Sequence, residues 1–499
     1  MPGGHRDDRR PQRRLWLFAS AAAAAAACGV AVAALAAGTH ERKAEPARQS
    51  RPLRVATPRI GGAAAPGQHL TVSRGRWSGH PRSFRYAWRR CDPRGARCRA
   101  IAGATARTYR VRASDVGSTL RVSVVTSNRK GSSRPALSPR TPVVAPLVGG
   151  VQQLEYVLDN GLISVYDIDR AQRLVKTISL PQTRAGVRGA TASPSTHMLF
   201  VSYGGDGGGN GDGSVLAYDL VRERVAWDVH YGDGIDSGAV DPAGERLYMP
   251  TGENSSTATW NILDASSGAV IGHVEAGAGP HNTIVSASGR YVYLGGRNHN
   301  YLEVYEPATG RLKSIGPLIG GVRPFTVNAS DTTAFTTATG FDGFQVSSLT
   351  SGNMLFAVSF GAVPHGFPYS APSHGISLSP DGAQVYVIDA VHKQVRAYDV
   401  SRVAQGVAPL LLAAIPVPGL DSSESPCAYD CAQDGWVQHS LDGRYVYVGD
   451  SGAVIDTAKR RISTVLPTLA NTRKSLEIDW RAGDPVATSG RNGVGRSSG

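Results

Sequence analysis

A chain of 499 residues rich in glycine (59) and proline (30), with 18% charged residues, has length for more than one domain and suits turn-dense, all-β structure. The net charge of +14 is lopsided: residues 1–145 hold 28 of the 53 basic side chains but 6 of the 39 acidic ones, so the remainder is net acidic. That balance speaks against nucleic-acid binding by the larger part. It leaves the basic N-terminal region either as a solvated face or as a contact for anionic lipid or cell-envelope polymer.

Residues 1–14 are Arg-rich, and Leu15 to Ala37 form an apolar, Ala-dominated run. The segment 1–37 is either a signal peptide, with Ala34-Leu35-Ala36 as cleavage site, or an uncleaved N-terminal membrane anchor. Export follows in both cases, to an extracellular place or one tethered to the outer face of the membrane. Residues 38–54 form a polar linker. Apart from Cys28 in the leader, the cysteines fall into two close pairs, Cys91/Cys98 and Cys427/Cys431, as expected for two disulfide loops in an oxidising compartment. A metal pair at Cys427/Cys431 is the alternative, but two thiolates without nearby partners make a poor zinc site.

Residues 55–144 show short alternating strands around YAWRRCDPRGARC and TYRVRASDVGSTLRVSVVTSN, which read as a β-sandwich with Trp88 in its core. The Asp115-x-Gly117 corner and its surroundings resemble the Ig-like modules of secreted and surface proteins of high-GC bacteria, which are spacers or adhesive domains. A Pro-rich connector follows, with the linker at 145–149.

From 150 to 496 one pattern recurs. Residues 373–400 (SHGISLSPDGAQVYVIDAVHKQVRAYDV) read as three strands joined by tight turns, and degenerate versions begin at His281 and Asp236. Units of this kind are unstable alone and must bury one another's faces, which is the sign of a β-propeller. First strands start near Arg188, Asp236, His281, Arg323, His374, Asp434 and Ser475. SLEIDW at the end, with PVATSG as a further candidate, is expected to complete the sheet begun near Glu155 and so close the ring. The expected fold is a seven-bladed β-propeller with an N-terminal Ig-like β-sandwich; six or eight blades are the alternatives. The long loop 403–434 is expected to cover one mouth of the channel.

Eight residues before the turn glycines Gly244, Gly289 and Gly382 stand Asp236, His281 and His374. One structural position in three units thus carries groups suited to a divalent metal ion or to acid/base chemistry, and such groups converge near a propeller axis. Asp236, His281 and His374 are the catalytic candidates, and the two histidines the metal candidates. Arg323 opens another inner strand and suits an anionic group. His365, His439 and Glu477 are further channel candidates. The blander reading of all these positions is that they hydrogen-bond turns and channel water. The run GGDGGGNGDGS (204–214) lacks calcium-loop or phosphate-loop spacing and reads as a flexible hairpin tip.

The strings GPHNTIVSASGRYVYLGGRNHNYLEVYEPATG, GVRPFTVN, PSHGISLSPDG, GDSGAVIDTAKRRI and KSLEIDW together resemble the YVTN-repeat, YncE-like propeller family. The resemblance implies an exported seven-bladed propeller related in fold to lactonase-type and quinoprotein-like propellers, without a settled activity. It carries over His281, Asn282, Arg323, His374 and Glu477 as channel positions. His439 departs from the pattern, standing where an apolar or aromatic residue is ordinary. The expected function is a binding module that presents a small ligand, metal or protein at the channel mouth. The alternative is a lactonase-like or metal-dependent lyase-type enzyme using the channel His and Asp residues.

Overall fold

The computed structural model describes residues 50–61, 64, 69–144, 150–420 and 433–490. The leader, Cys427 and Cys431 lie outside them. No helix among the described residues is long and apolar enough to cross a membrane.

The N-terminal module is built on the antiparallel pair Ser83–Cys91 and Thr119–Asn128. Alternating residues of these strands meet in a separate core around Trp88, whose ring stacks on Tyr109 at 5.3 Å. Buried Asp115 accepts hydrogen bonds from Tyr109 Oη (2.7 Å), Arg90 Nε (2.7 Å) and the Arg112 amide (2.8 Å), so the corner noted in the sequence is tied down by charge-assisted bonds. Cys91 and Cys98 form a disulfide, consistent with an oxidising compartment.

Among the described residues of 152–488, the strands form seven antiparallel sheets. Six are four-stranded meanders in chain order: residues 187–230, 239–275, 280–315, 322–359, 376–416 and 436–465. They are called the second to seventh sheets here. The first sheet is assembled from both ends of this region: Gln152–Asp159 pairs with Leu162–Asp167 on one side and with Ser475–Arg481 on the other, placing Glu155 opposite Glu477. The strand Asp484–Thr488 then adds to Ser475–Arg481 as a fifth member, so PVATS extends the closing sheet inward.

Burial follows position. Innermost strands such as Pro280–Val285 and Val322–Val327 are buried along their whole length, while outer strands such as Arg224–His230 alternate with one face in water. Apolar clusters sit between successive sheets: Leu154 and Leu199 join the first to the second, and Val157 and Tyr447 join the seventh back to the first. Each meander supplies half of two cores and owns none, which closes the sheets into a β-propeller.

Candidate functional site

In an antiparallel meander the first strand begins at the end where the second strand finishes. One face of the propeller therefore collects two sets of residues. The starts of the inner strands bring Asp236, His281, Arg323, His374, Asp434 and Arg473. The connections after the second strands bring Glu253, Arg297 and Asp450.

The two imidazoles come together. The rings of His281 and His374 lie 6.0 Å apart between centres, and both residues are buried. His281 Nδ1 is 2.9 Å from Asp236 Oδ2. His374 Nδ1 is 3.2 Å from the Gly435 carbonyl and 3.3 Å from Asp434 Oδ1, and its ring meets Trp436 edge-on at 5.8 Å. A carbonyl or ionised carboxylate can only accept, so an imidazole here that is neutral carries its proton on Nδ1 and leaves a lone pair on Nε2. Neither Nε2 has a hydrogen-bond partner among the described residues, although both are buried. Burial, reinforced by the charges of Arg323 and Arg473, pushes His374 well below the usual imidazole range, which keeps it neutral.

Around the pair, buried charges are matched. Arg323 Nη1 lies 2.5 Å and Arg297 Nη1 3.0 Å from Glu253 Oε2, and Arg323 Nη2 reaches Ser370 Oγ at 3.4 Å. Burial pushes the Glu253 carboxyl up, but the neighbouring positive charges, His281 when protonated, Arg323 and Arg297, together outweigh it and hold the group below the carboxylate range. Arg473 Nη1 is 2.8 Å from Asp434 Oδ1, and the Gly435 amide donates to Asp450 Oδ2 at 3.1 Å. Arg323 Nε is also buried without a hydrogen-bond partner among the described residues. Donor atoms of Asp236, Glu253 and His281 also lie within 4.8 Å of one another, a spacing that a metal ion can bridge.

Close backbone contacts set these positions. The Arg297 carbonyl occupies the place a Cβ would take on Gly321, so only glycine lets that loop reach the strand carrying Arg323. The Gly-rich run is not a free hairpin tip. Gly207 and Gly208 pack on the backbone of Thr251 and Gly252, and the Asn254 amide donates to Gly207 O at 2.8 Å, which fixes the turn that holds Glu253.

Behind the pair the channel opens into a cavity of about 610 Å³, bounded by Thr191, Ser237, Thr283, Gln438, Lys474 and the C-terminal strand. Ser489 Oγ there accepts from Gln438 Nε2 and from the Glu477 amide, both at 2.8 Å.

The other sequence candidates fall elsewhere. Asn282 is buried beside Ser237 where the two inner strands touch. His365 is exposed, and it is Ser370 of the same loop that reaches the arginines. His439 lies at the far end of its inner strand, with Nδ1 2.9 Å from Ser377 Oγ and its ring edge-on to Tyr386 at 5.1 Å; burial pushes its pKa down to about 3. Glu477 accepts from Gln153 Nε2 (3.2 Å) and the Leu441 amide (2.6 Å), as part of the ring closure. Sequence reasoning passed over Asp434, Glu253, Arg297, Asp450 and Arg473. The signal for three of them was their place directly after a second strand, in TGENS, GGRNH and GDSGA.

No family model matches the chain, and no curated protein matches it in sequence. Among solved structures it is similar to the Kuenenia stuttgartiensis hydrazine synthase (18% identity, 61% of this chain and 86% of that one, TM-score 0.41). It is also similar to dihydro-heme d1 dehydrogenase NirN in complex with DHE (15%, 68% and 73%, TM-score 0.43). A third likeness is to the β-propeller domain of Myceliophteria thermophila Cps50 (Swd1) (10%, 56% and 86%, TM-score 0.42). None of these likenesses bears on the chemistry of the site.

Proposed function

We propose that the chain is an exported, seven-bladed, YncE-like propeller carried on an Ig-like spacer, and that it is a binding module whose channel mouth holds a divalent transition-metal ion. The ion sits between Nε2 of His281 and Nε2 of His374, and a small anionic ligand completes its coordination beside Arg323. The observation that carries this reading is the pair of buried imidazoles whose Nδ1 atoms are held by oxygen acceptors while both Nε2 lone pairs go unused. A carboxylate or carbonyl behind a histidine is the usual outer support of a metal-bound imidazole. Two imidazoles on one ion, with nitrogens about 2.0–2.1 Å from it, have ring centres roughly 5–6.5 Å apart. The 6.0 Å separation fits. The unused Arg323 Nε–H calls for an acceptor, which suits an anion. The basic segment before residue 145 would lie against the cell envelope, and the Cys91–Cys98 disulfide supports an oxidising location.

A second reading is a lactonase-like or lyase-type enzyme. It is favoured by the His281–Asp236 contact, since an imidazole oriented by a carboxylate and open at Nε2 is a general base. Metal analysis of the purified protein separates the readings. A transition-metal equivalent that is lost in His281→Ala and in His374→Ala, with the fold retained, supports the metal site. A chain that takes up no metal but turns over a substrate in a His281-dependent way supports the metal-free enzyme.

A further inference from the structure

A second group of possible ligands lies outside the imidazole pair, where the fifth sheet meets the sixth. Asp342 opens the third strand of the fifth sheet (Phe341–Ser348), and Asp389 ends the second strand of the sixth (Gln384–Asp389), three residues before His392. Their donor atoms lie within 4.8 Å of one another. We propose that Asp342, Asp389 and His392 bind a divalent cation of the manganese or zinc type, at a site separate from His281 and His374.

The case rests on how unevenly the two carboxylates are satisfied. Asp389 is fully buried and well matched: Arg396 Nε and Gln394 Nε2 donate to Oδ2 at 2.7 and 2.8 Å, and His392 Nδ1 faces Oδ1 at 2.8 Å. Asp342 is 1% exposed, and its Oδ1 accepts from Ser373 Oγ at 3.2 Å. Its Oδ2 makes no hydrogen bond among the described residues. A buried carboxylate oxygen without a donor is costly, and next to a second carboxylate and an imidazole the natural complement is a cation. Two carboxylates with one imidazole is a mixed oxygen and nitrogen set, which suits manganese or zinc better than calcium, whose sites are built from oxygen alone. The half-exposed His392 side chain gives the ion a way in from solvent. Once bound, it would tie the fifth sheet to the sixth and, through Ser373, brace the residue that precedes His374.

The test is Mn²⁺ binding to the full, metal-stripped chain, followed by electron paramagnetic resonance of the free ion, in the wild type and three variants. Asp342→Asn keeps the side chain's shape and should weaken binding tenfold or more. His392→Ala, at a half-exposed position, should weaken it several-fold. The His281→Ala/His374→Ala double variant should keep this binding, whatever becomes of the channel-mouth site. Failure of the wild type to bind Mn²⁺, equal binding in Asp342→Asn and His392→Ala, or loss of binding only in the His281/His374 double variant would overturn the proposal.

Discussion

His281 and His374 belong to the fourth and sixth sheets, and their imidazoles face each other at 6.0 Å with Arg323 of the intervening sheet beside them. Each ring leans on an acidic residue of a different neighbour, Asp236 of the third sheet's entry and Asp434 of the seventh's. The pair is thus held by four inner-strand entries, and it exists only while the ring is closed. Stability of closure and occupancy of the site are therefore linked, and they can be tested separately.

Closure is made by Ser475–Arg481, with Asp484–Thr488 added on its inner edge. Removing residues 484–499 should leave a folded ring that is modestly less stable, because the lost strand pairs on one side only. Removing residues 475–499 should abolish cooperative unfolding, because Gln152–Asp159 then presents an open edge and the first two sheets lose part of their shared core. Urea unfolding monitored by circular dichroism distinguishes the two truncations.

Glu155, opposite Glu477, has no partner for Oε1 among the described residues, and burial raises its pKa to about 8 despite a hydrogen bond with Ser475. Its folded-state pKa lies above the unfolded one. Between about pH 4.5 and 8 the unfolded chain releases this proton while the folded chain keeps it, so stability from this group falls as pH rises. Glu155→Gln should remove that slope, matching the wild type near pH 4 and exceeding it by on the order of a few kcal/mol at pH 8. Paired denaturant titrations at the two pH values measure the difference.

His439 is a packing residue by its contacts, held by Ser377 and Tyr386. His439→Ala should cost about 2–3 kcal/mol in unfolding free energy and leave metal uptake unchanged. The histidine's own pKa, depressed to about 3, makes its contribution present above the unfolded value near 6.5 and progressively lost as pH falls toward 3. A flatter acid limb in an isosteric His439→Asn variant, read by thermal melts from pH 7 to 4, checks this.

The propeller was legible because its turns repeat: Pro-Asp-Gly and its variants mark the end of each inner strand, and counting back from the glycine lands on Asp236, His281 and His374. The same count misses Asp434, whose turn glycine, Gly443, comes one residue later. Glu253 and Arg297 were hidden for a different reason. They stand in connections of irregular length, and only the folded meander brings those beside the inner-strand starts. His439 and Glu477 lie on inner strands too, yet apart from the imidazole pair: His439 Nδ1 meets Ser377 Oγ, and Glu477 accepts from Gln153 Nε2 and the Leu441 amide. The glycines of 204–213 misled because glycine serves close packing as readily as mobility, and here they let one loop lie against Thr251 and Gly252.

The most direct test is an anomalous-scattering crystal structure of the protein loaded with one equivalent of zinc or cobalt. Bridging by the paired imidazoles predicts a strong peak at the channel mouth, about 2.1 Å from Nε2 of both His281 and His374, with their Nδ1 contacts to Asp236 and Gly435 retained. A peak bound through Asp236 and Glu253 without His374, or no peak at the channel mouth, would contradict it.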